Sequence, residues 1–497
     1  MSEVPGVFEE PGVSHDLAWL AGKTVLVAGG RVSGLATVGP LLDLGAQVIV
    51  TDSDPAAVEK ARGLGVGGIR QGDFLADDTA FDGVALVVTS PGLRPDSPLL
   101  AAAAARGIPI WGDVELSWRI DRVGLYGPPT QWLVVTGTNG KTTTTSMLAS
   151  ILDAAGLASA ACGNIGLPIL DALRSTPHPA VLAVELSSFQ LFWAPSVHPS
   201  AGVVLNIAED HLDWHGGMDG YVESKSRALT GGVAVVGLDD ARAAALGPTA
   251  SADRVVGFRL GEPSRNELGI VDGRLVDNAF GSAVDLLSVG DVVPAGPAGL
   301  MDALASAALA RSVGVPPESV AEGLRTYEVG PHRAAVVRTV GGVTFIDDSK
   351  ATNPHAARSS LLAHDRVVWI AGGLLKGASV DELVAEVAPR LVAAVVIGRD
   401  GTQIAQALAR HAPDVPVATY PLRDDAGVTH VAEDADVVMR GAVRDAARRA
   451  EPGDTVLLAP AAASLDMFVD YGHRGDSFAE AVRSLDAAEI GSTGGNS

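Results

Sequence analysis

The chain has 497 residues, too many for one hydrophobic core, and roughly two to four domains are expected. Its formal net charge of −23 argues against a nucleic-acid binder or an anionic-membrane binder, since both need a basic surface. No apolar stretch reaches the ~18 residues needed to cross a bilayer. The start, Met1-Ser2-Glu3-Val4-Pro5, shows no signal peptide, and Cys162 is the only cysteine, so a cytoplasmic enzyme without intrachain disulfides is expected.

In chain order, Thr24–Ala28 reads as a strand, followed by Gly29-Gly30-Arg31-Val32-Ser33-Gly34 and a helix to about Leu44. The next strand, Gln47–Val50, leads to Asp52. This is a βαβ pattern with an acid about 20 positions after a Gly turn, the placement used for ribose hydroxyls. Arg31 replaces the middle Gly of the dinucleotide fingerprint, which weakens a nicotinamide-dependent oxidoreductase as an alternative. Val84–Val88 runs into Thr89-Ser90-Pro91-Gly92, a strand-end turn of the kind where ligands bind in open α/β sheets.

A second unit carries the most informative segment. The apolar run Trp132–Val135 precedes Thr136-Gly137-Thr138-Asn139-Gly140-Lys141-Thr142, and Thr143 onward can start a helix. Strand, Gly-rich turn, Lys-Thr and helix form a phosphate-binding loop. Its backbone N–H groups favour anions, Lys141 adds a charge for the outer phosphates, and the Thr142 hydroxyl suits Mg²⁺. Val135 stands where the common pattern has its first Gly. Further strands are expected at Val181–Val184 and Gly202–Leu205, a hairpin around Asp272-Gly273, and a helix over Leu300–Ser312.

Glu185 follows the Val181 strand, a position that suits Mg²⁺ beside phosphates. His211 is expected at the end of the following strand as a ligand or acid/base group. Its spacing to His215 also resembles a zinc pair, without the H-E-x-x-H that would support one. The third unit alternates strands and helices around Val343–Ile346, Val367–Gly373, Ala393–Gly398 and Thr455–Ala459, again a parallel α/β pattern. Asp348-Ser349-Lys350, Lys376 and Ser464 each follow one of these strands and can meet at one sheet edge. The tail from about residue 490 is expected to be disordered.

Only six lysines occur: Lys23, Lys60, Lys141, Lys225, Lys350 and Lys376. Lys is a compact point charge that can lose its proton and be modified, which Arg does not do readily. Four of the six fall in the segments singled out above or in the helix-like stretch Tyr221–Arg227.

Taken together, Thr136–Thr142, Gly163-Asn164-Ile165-Gly166-Leu167-Pro168, Glu185–Gln190 and Asp348-Ser349-Lys350-Ala351-Thr352-Asn353 resemble the Mur ligases, in order and across most of the chain. The last of these resembles the D-glutamate-adding branch; siblings that add other amino acids differ there. The resemblance implies an α/β fold in three domains: 1–113 Rossmann-like for the UDP-substrate, 114–329 a P-loop-type ATPase, and 330–497 Rossmann-like for the amino acid. It implies that ATP phosphorylates the carboxylate of UDP-N-acetylmuramoyl-L-alanine and that the amine of D-glutamate displaces phosphate, in a monomer. Lys141, Glu185, His211, Lys225 and Lys350 would be catalytic. Gly137, Thr138, Asn139, Gly140, Lys141, Thr142, Thr143, Asp302, Arg333 and Asp348 would bind ATP. Thr142 and Glu185 would hold one Mg²⁺, and His211 with Lys225, carbamylated by CO₂, a second. Val32, Ser33, Asp52, Ser53, Gly92, Asn164, Ser187, Gln190 and His211 would bind the UDP-substrate. Thr352, Lys376, Ser464 and Tyr471 would bind D-glutamate. His332, Arg333, Asp348 and Lys350 would form the face that closes over ATP. Two departures stand out: Asp302 where the family usually has Asn near the nucleotide, and Tyr471 where it more often has Phe.

Overall fold

The computed structural model describes residues 16–420 and 431–492. The tail from about residue 490 falls largely outside the described residues. The fold is α/β, with three sheets among the described residues. The first comprises β1 (Thr24–Ala28), β2 (Gln47–Asp52), β3 (Gly67–Arg70), β4 (Val84–Thr89) and β5 (Ile110–Gly112), all parallel, in the order β3-β2-β1-β4-β5. The crossover after β1 is tight. A Cβ on Gly34 would lie 1.8 Å from the Gly29 carbonyl oxygen, so the helix Val32–Asp43 can pack against the turn only with glycine there.

The second sheet holds β6 (Gln131–Thr136), β7 (Ser159–Gly163), β8 (Val181–Glu185), β9 (Ala201–Val204), β10 (Val233–Gly237), β11 (Arg254–Phe258), β12 (Glu267–Val271), β13 (Arg274–Asp277) and β14 (Val284–Ser288). Its order is β14-β13-β12-β11-β10-β9-β6-β8-β7. Pairing is parallel from β7 to β12 and antiparallel through the β12–β13 and β13–β14 hairpins. Asp272 and Gly273, both at positive φ, form the expected tight turn. The third sheet, β15 (Ala335–Val340), β16 (Val343–Asp347), β17 (Val367–Gly372), β18 (Leu391–Ile397), β19 (Val417–Tyr420) and β20 (Thr455–Leu458), has the order β15-β16-β20-β17-β18-β19. Among the described residues its β15–β16 pair is antiparallel and its other strand pairs are parallel.

Central strands are apolar on both faces because helices cover both. In β17, Val368 and Ile370 enter one core, while Val367, Trp369 and Ala371 enter the core on the opposite face. This explains why the run reads as continuous rather than alternating.

Contacts divide the chain into two compact units. One ends at Ala295 and resumes over Gly299–Tyr327; the other holds Gly296–Ala298 and the chain from Glu328. The first two sheets thus share one unit. The helix Asp113–Val123 joins them: Leu116 and Ile120 pack in the core of the first sheet, and Val114 and Trp118 in that of the second. Trp193, from the second sheet's side, is buried in a core of the first, and Gly112 N–H donates to its carbonyl at 3.0 Å.

Candidate active site

β6 delivers the chain to the phosphate loop at Thr136, and the helix Lys141–Ala154 leaves it, N-capped by Gly140 at φ 83°. The loop is held from the next strand over. Asn206, two residues beyond β9, accepts from Asn139 N–H at 2.9 Å through Oδ1 and donates to the Asn139 carbonyl at 3.1 Å through Nδ2. Thr138 Oγ1 accepts from Ala208 N–H at 2.9 Å and lies 3.0 Å from the Tyr221 hydroxyl. These bonds hold the loop backbone in place, and the Thr138 and Asn139 N–H groups are themselves spent on Asn206, at 3.0 and 2.9 Å. Thr142 and Thr143 occupy the first helical turn. Asp302 lies beneath it, buried, and Oδ1 accepts from Thr144 Oγ1 at 2.9 Å. A Cβ on Gly140 would fall 2.3 Å from the same oxygen, so the loop and Asp302 are in close contact.

Two lysines converge on one carbonyl of this loop. Lys141 Nζ donates to Gly137 O at 2.9 Å and to Thr138 O at 2.8 Å. Lys225, on the helix Met218–Ser226, donates to the same Gly137 O at 2.8 Å and to Thr136 Oγ1 at 3.4 Å. Lys225 is 1% exposed and its Nζ lies 4.7 Å from the Tyr221 ring centroid. Burial, reinforced by nearby Lys141 and opposed by Asp210 and Glu185, drives its pKa well below the usual lysine range. The neutral amine is therefore accessible, which is the form that reacts with CO₂.

Glu185 ends β8, paired with Val135 of β6 and Gly163 of β7. Asn164 Nδ2 donates to its Oε1 at 2.9 Å, and Oε2 is buried with no hydrogen-bond partner. A buried carboxylate oxygen without a donor suits a cation. Among the described residues no group of three or more His, Cys, Asp and Glu forms a ready-made metal cage. Mg²⁺ does not need one, since it takes one or two carboxylates together with phosphate oxygens.

His211 departs from its expected place. β9 ends at Val204, and His211 lies in the loop beyond it with φ 53°, because Leu205, Asn206 and Ala208 leave the sheet to bond the phosphate-loop segment. Its ring centroid is 4.6 Å from that of Phe189, and Nε2 is 3.5 Å from Asp210. Ser187 and Gln190 form a reciprocal capping box, with Ser187 N–H to Gln190 Oε1 at 3.0 Å and Gln190 N–H to Ser187 Oγ at 3.2 Å.

At the carboxyl edge of the first sheet lie Val32, Ser33, Asp52, Ser53 and Gly92. Asp52 clamps the Gly turn itself: Oδ2 accepts from Gly30 N–H at 2.7 Å and Oδ1 from Asp54 N–H at 2.8 Å. Gly92 O accepts from Trp214 Nε1 at 3.3 Å, tying this edge to the segment that carries His211.

In the other unit, the third sheet's carboxyl edge gathers the remaining residues. Ala461 N–H bonds Ala351 O at 3.0 Å, while Leu374 and Ala463 bond each other reciprocally. These bonds bring the segments with Thr352, Lys376 and Ser464 together. Ser349 Oγ donates to Tyr471 O at 2.8 Å, and Lys350 Nζ lies 3.9 Å from the Tyr471 ring centroid. Asp348 accepts from Ala334 N–H at 3.1 Å and from the Ser360 hydroxyl, and burial raises its carboxyl to about 6 despite the nearby Arg333 guanidinium. His332 Nδ1 is 2.7 Å from Asp347 Oδ2. Sequence reasoning missed Arg474. Its buried guanidinium donates to Ser349 Oγ at 3.0 Å, Ser349 O at 2.8 Å, Ala462 O at 3.0 Å and Gly372 O at 3.3 Å, locking three of these segments together.

The sequence profile of the Mur ligase middle domain matches residues 135–290, and that of the Mur ligase glutamate ligase domain matches residues 332–462. The UDP-N-acetylmuramoylalanine--D-glutamate ligase of Rhodococcus jostii is 63% identical over 490 residues, covering 96% of this chain and 98% of the relative. The chain belongs to the Mur ligase family. Proteins of the same printed name from Nocardia farcinica and Mycobacterium tuberculosis H37Rv are 61% and 56% identical, over 96% and 93% of this chain and 99% and 96% of their own lengths. Two solved Mur ligases share the fold. The UDP-N-acetylmuramate-alanine ligase of Thermotoga maritima gives a TM-score of 0.56 at 19% identity, covering 93% of this chain and 99% of its own. MurF of Acinetobacter baumannii gives 0.55 at 19%, covering 94% and 92%. ATP dependence follows from family membership. No described helix is long and apolar enough to cross a membrane.

Proposed function

We propose that this Mur ligase joins D-glutamate to UDP-N-acetylmuramoyl-L-alanine, converting ATP to ADP and phosphate, in peptidoglycan precursor synthesis. The observation that carries the reading is the convergence of Lys141 and Lys225 on one phosphate-loop carbonyl, beside a strand-end carboxylate with a partnerless buried oxygen. Such a site is built to manage the charge of phosphoryl transfer. The printed names of relatives at 56–63% identity and the Asp348–Asn353 segment support D-glutamate as the amino acid.

A carboxylate is a poor acyl donor, so the substrate carboxylate attacks the γ-phosphoryl group and becomes an acyl phosphate. The amine of D-glutamate then attacks the acyl carbon, phosphate leaves, and the amide nitrogen releases a proton. Lys141 and the loop N–H groups hold the β- and γ-phosphates, and Thr143 and Asp302 support the first helical turn. Thr142, Glu185, His211 and Lys225, the last as its carbamate, are the residues that would hold two Mg²⁺ ions. Bound Mg²⁺ would neutralise charge on the transferring group. Carbamate formation joins the neutral Lys225 nitrogen to CO₂ with loss of one proton, and turns a cation into an anionic oxygen ligand. In the other unit, Thr352, Lys376, Ser464 and Tyr471 receive D-glutamate, and Lys350, Asp348 and Arg333 serve the nucleotide and the reacting carboxylate.

We also assign three functional domains, 1–113, 114–329 and 330–497, to a cytoplasmic monomer. Phosphate release from ATP, measured with UDP-N-acetylmuramoyl-L-alanine and each of D-glutamate, L-alanine, meso-diaminopimelate and L-lysine, tests the reading. Release with D-glutamate alone is expected. Release with another amino acid but not D-glutamate overturns the substrate assignment.

A further inference from the structure

Between the segment that carries Glu185 and the helix that carries Lys225 lies a histidine that the proposed reaction does not use. His215 ends the short helix Leu212–His215. Its Nε2 is 2.9 Å from Ser188 Oγ and its Nδ1 is 3.3 Å from Ser224 Oγ. Ser188 opens the helix just after Glu185, and Ser224 immediately precedes Lys225. The ring stacks on Phe189 with centroids 5.5 Å apart and planes 8° apart, and meets Tyr221 edge-on at 5.4 Å. Gly220 permits this packing, since a Cβ there would lie 2.3 Å from the His215 carbonyl oxygen.

The hydrogen-bond bookkeeping fixes the tautomer. Ser224 Oγ donates its only hydrogen to Gly220 O at 2.7 Å, so toward His215 it accepts, and Nδ1 carries the imidazole proton. Nε2 is then the acceptor, and the Ser188 hydroxyl donates to it.

We infer that His215 is a positioning residue: a neutral imidazole strut, Ser188–His215–Ser224, that sets the spacing between Glu185 and Lys225. In this role it touches neither substrate nor metal. A ring gripped at both nitrogens and stacked on one face has few orientations left, so it transmits the position of one segment to the other. The inference rests on the proposed assignment of Glu185 and Lys225 as metal-holding groups. Removing a partner that orients such groups weakens metal binding by about 10–100-fold.

The test titrates Mn²⁺ by electron spin resonance in the presence of ATP, and follows the Lys225 carbamate by NMR after addition of ¹³C-bicarbonate. Wild type, Glu185→Gln, His215→Ala, Ser188→Ala and Ser224→Ala are compared, with melting temperatures in parallel. His215→Ala is expected to weaken Mn²⁺ binding by about 10–100-fold and to diminish the carbamate signal, with the KM for D-glutamate unchanged. Each serine variant should weaken it less, and neither effect should add to that of His215→Ala, because all three break one strut. Mn²⁺ affinity and carbamate signal within about twofold of wild type in His215→Ala overturn the inference, even if the melting temperature falls. Should His215→Ala not fold, the Ser188→Ala/Ser224→Ala double variant, which keeps the ring packing, decides by the same criterion. If wild type shows no carbamate resonance and Glu185→Gln leaves Mn²⁺ binding unchanged, the assignment of Glu185 and Lys225 falls, and the strut falls with it. Responses at Glu185 without responses at His215 remove the strut alone.

Discussion

The two units place lysines in opposite settings. In the first, Lys225 is sealed at 1% exposure, bonded to Gly137 O, with desolvation driving its pKa down. In the second, Lys376 is exposed and Lys350 sits half-buried over the Tyr471 ring, from which each can reach an incoming anion. One residue type thus serves two chemistries. A buried amine can be made neutral and modified, whereas a solvent-facing lysine serves as a point charge on a flexible stem. A chain with only six lysines makes this division visible.

The sharpest way to break that comparison is to remove the buried lysine. Lys225→Ala is expected to lose roughly 10²–10³-fold or more in kcat, to be partly rescued by acetate, and to be matched by Lys225→Arg. Rate assays with and without acetate check this; near-normal activity in either variant would end the carbamate reading. At the exposed lysine the effect should be smaller and of a different kind. Lys376→Ala should raise the KM for D-glutamate by about 10–100-fold, the worth of a hydrogen bond to a charged group, while sparing the KM for ATP. Steady-state kinetics with each substrate varied in turn separates the two. A third probe lies beneath the phosphate loop. Asp302→Asn keeps an acceptor for Thr144 Oγ1 and removes a negative charge near the nucleotide phosphates. The KM for ATP should fall by about two- to fivefold, and a rise would mean that the carboxylate itself contacts the nucleotide.

Where the chain kept chemistry close in sequence, the fold and site were legible. The phosphate loop, the Asp272-Gly273 hairpin and the doubly apolar strands such as β17 carry their own local signals. Partnerships set by topology were not. β9 lies beside β6 although β7 and β8 intervene in sequence, and that adjacency alone brings Asn206 onto Asn139. The same loop places His211 past the strand at positive φ rather than at the strand end. Asp52 had the spacing of a ribose ligand, and the structure adds a second task, since its two oxygens accept backbone N–H groups from the Gly turn at Gly30 and from Asp54. His215 and Arg474 were invisible as tethers because a histidine or arginine inside a helix-like stretch has no signal until its partners are known. The close union of the first two sheets was likewise hidden, since nothing local in Asp113–Val123 says that Leu116 and Ile120 serve one core and Val114 and Trp118 another.

The smallest expected effect concerns protons in the second unit. Asp348 is half-buried, and desolvation raises its carboxyl to about 6, against an ordinary value of 3.8. A carboxyl raised on folding binds its proton more tightly in the folded state. Its contribution to stability is therefore fully present below pH 3.8 and is lost as the pH rises toward and through about 6. Asp348→Asn, always neutral, cannot show this loss. The melting temperature of wild type relative to Asp348→Asn should fall by a few degrees between about pH 4 and pH 7, given that 1 kcal/mol moves a domain of this size by about 2–4 °C. Scanning calorimetry of both proteins across that window checks it. A constant difference would mean that the hydrogen bonds from Ala334 N–H and the Ser360 hydroxyl, which favour the charged form, outweigh burial. Asp348 would then be a fixed anion, grouped with the permanently charged side of the comparison rather than with Lys225.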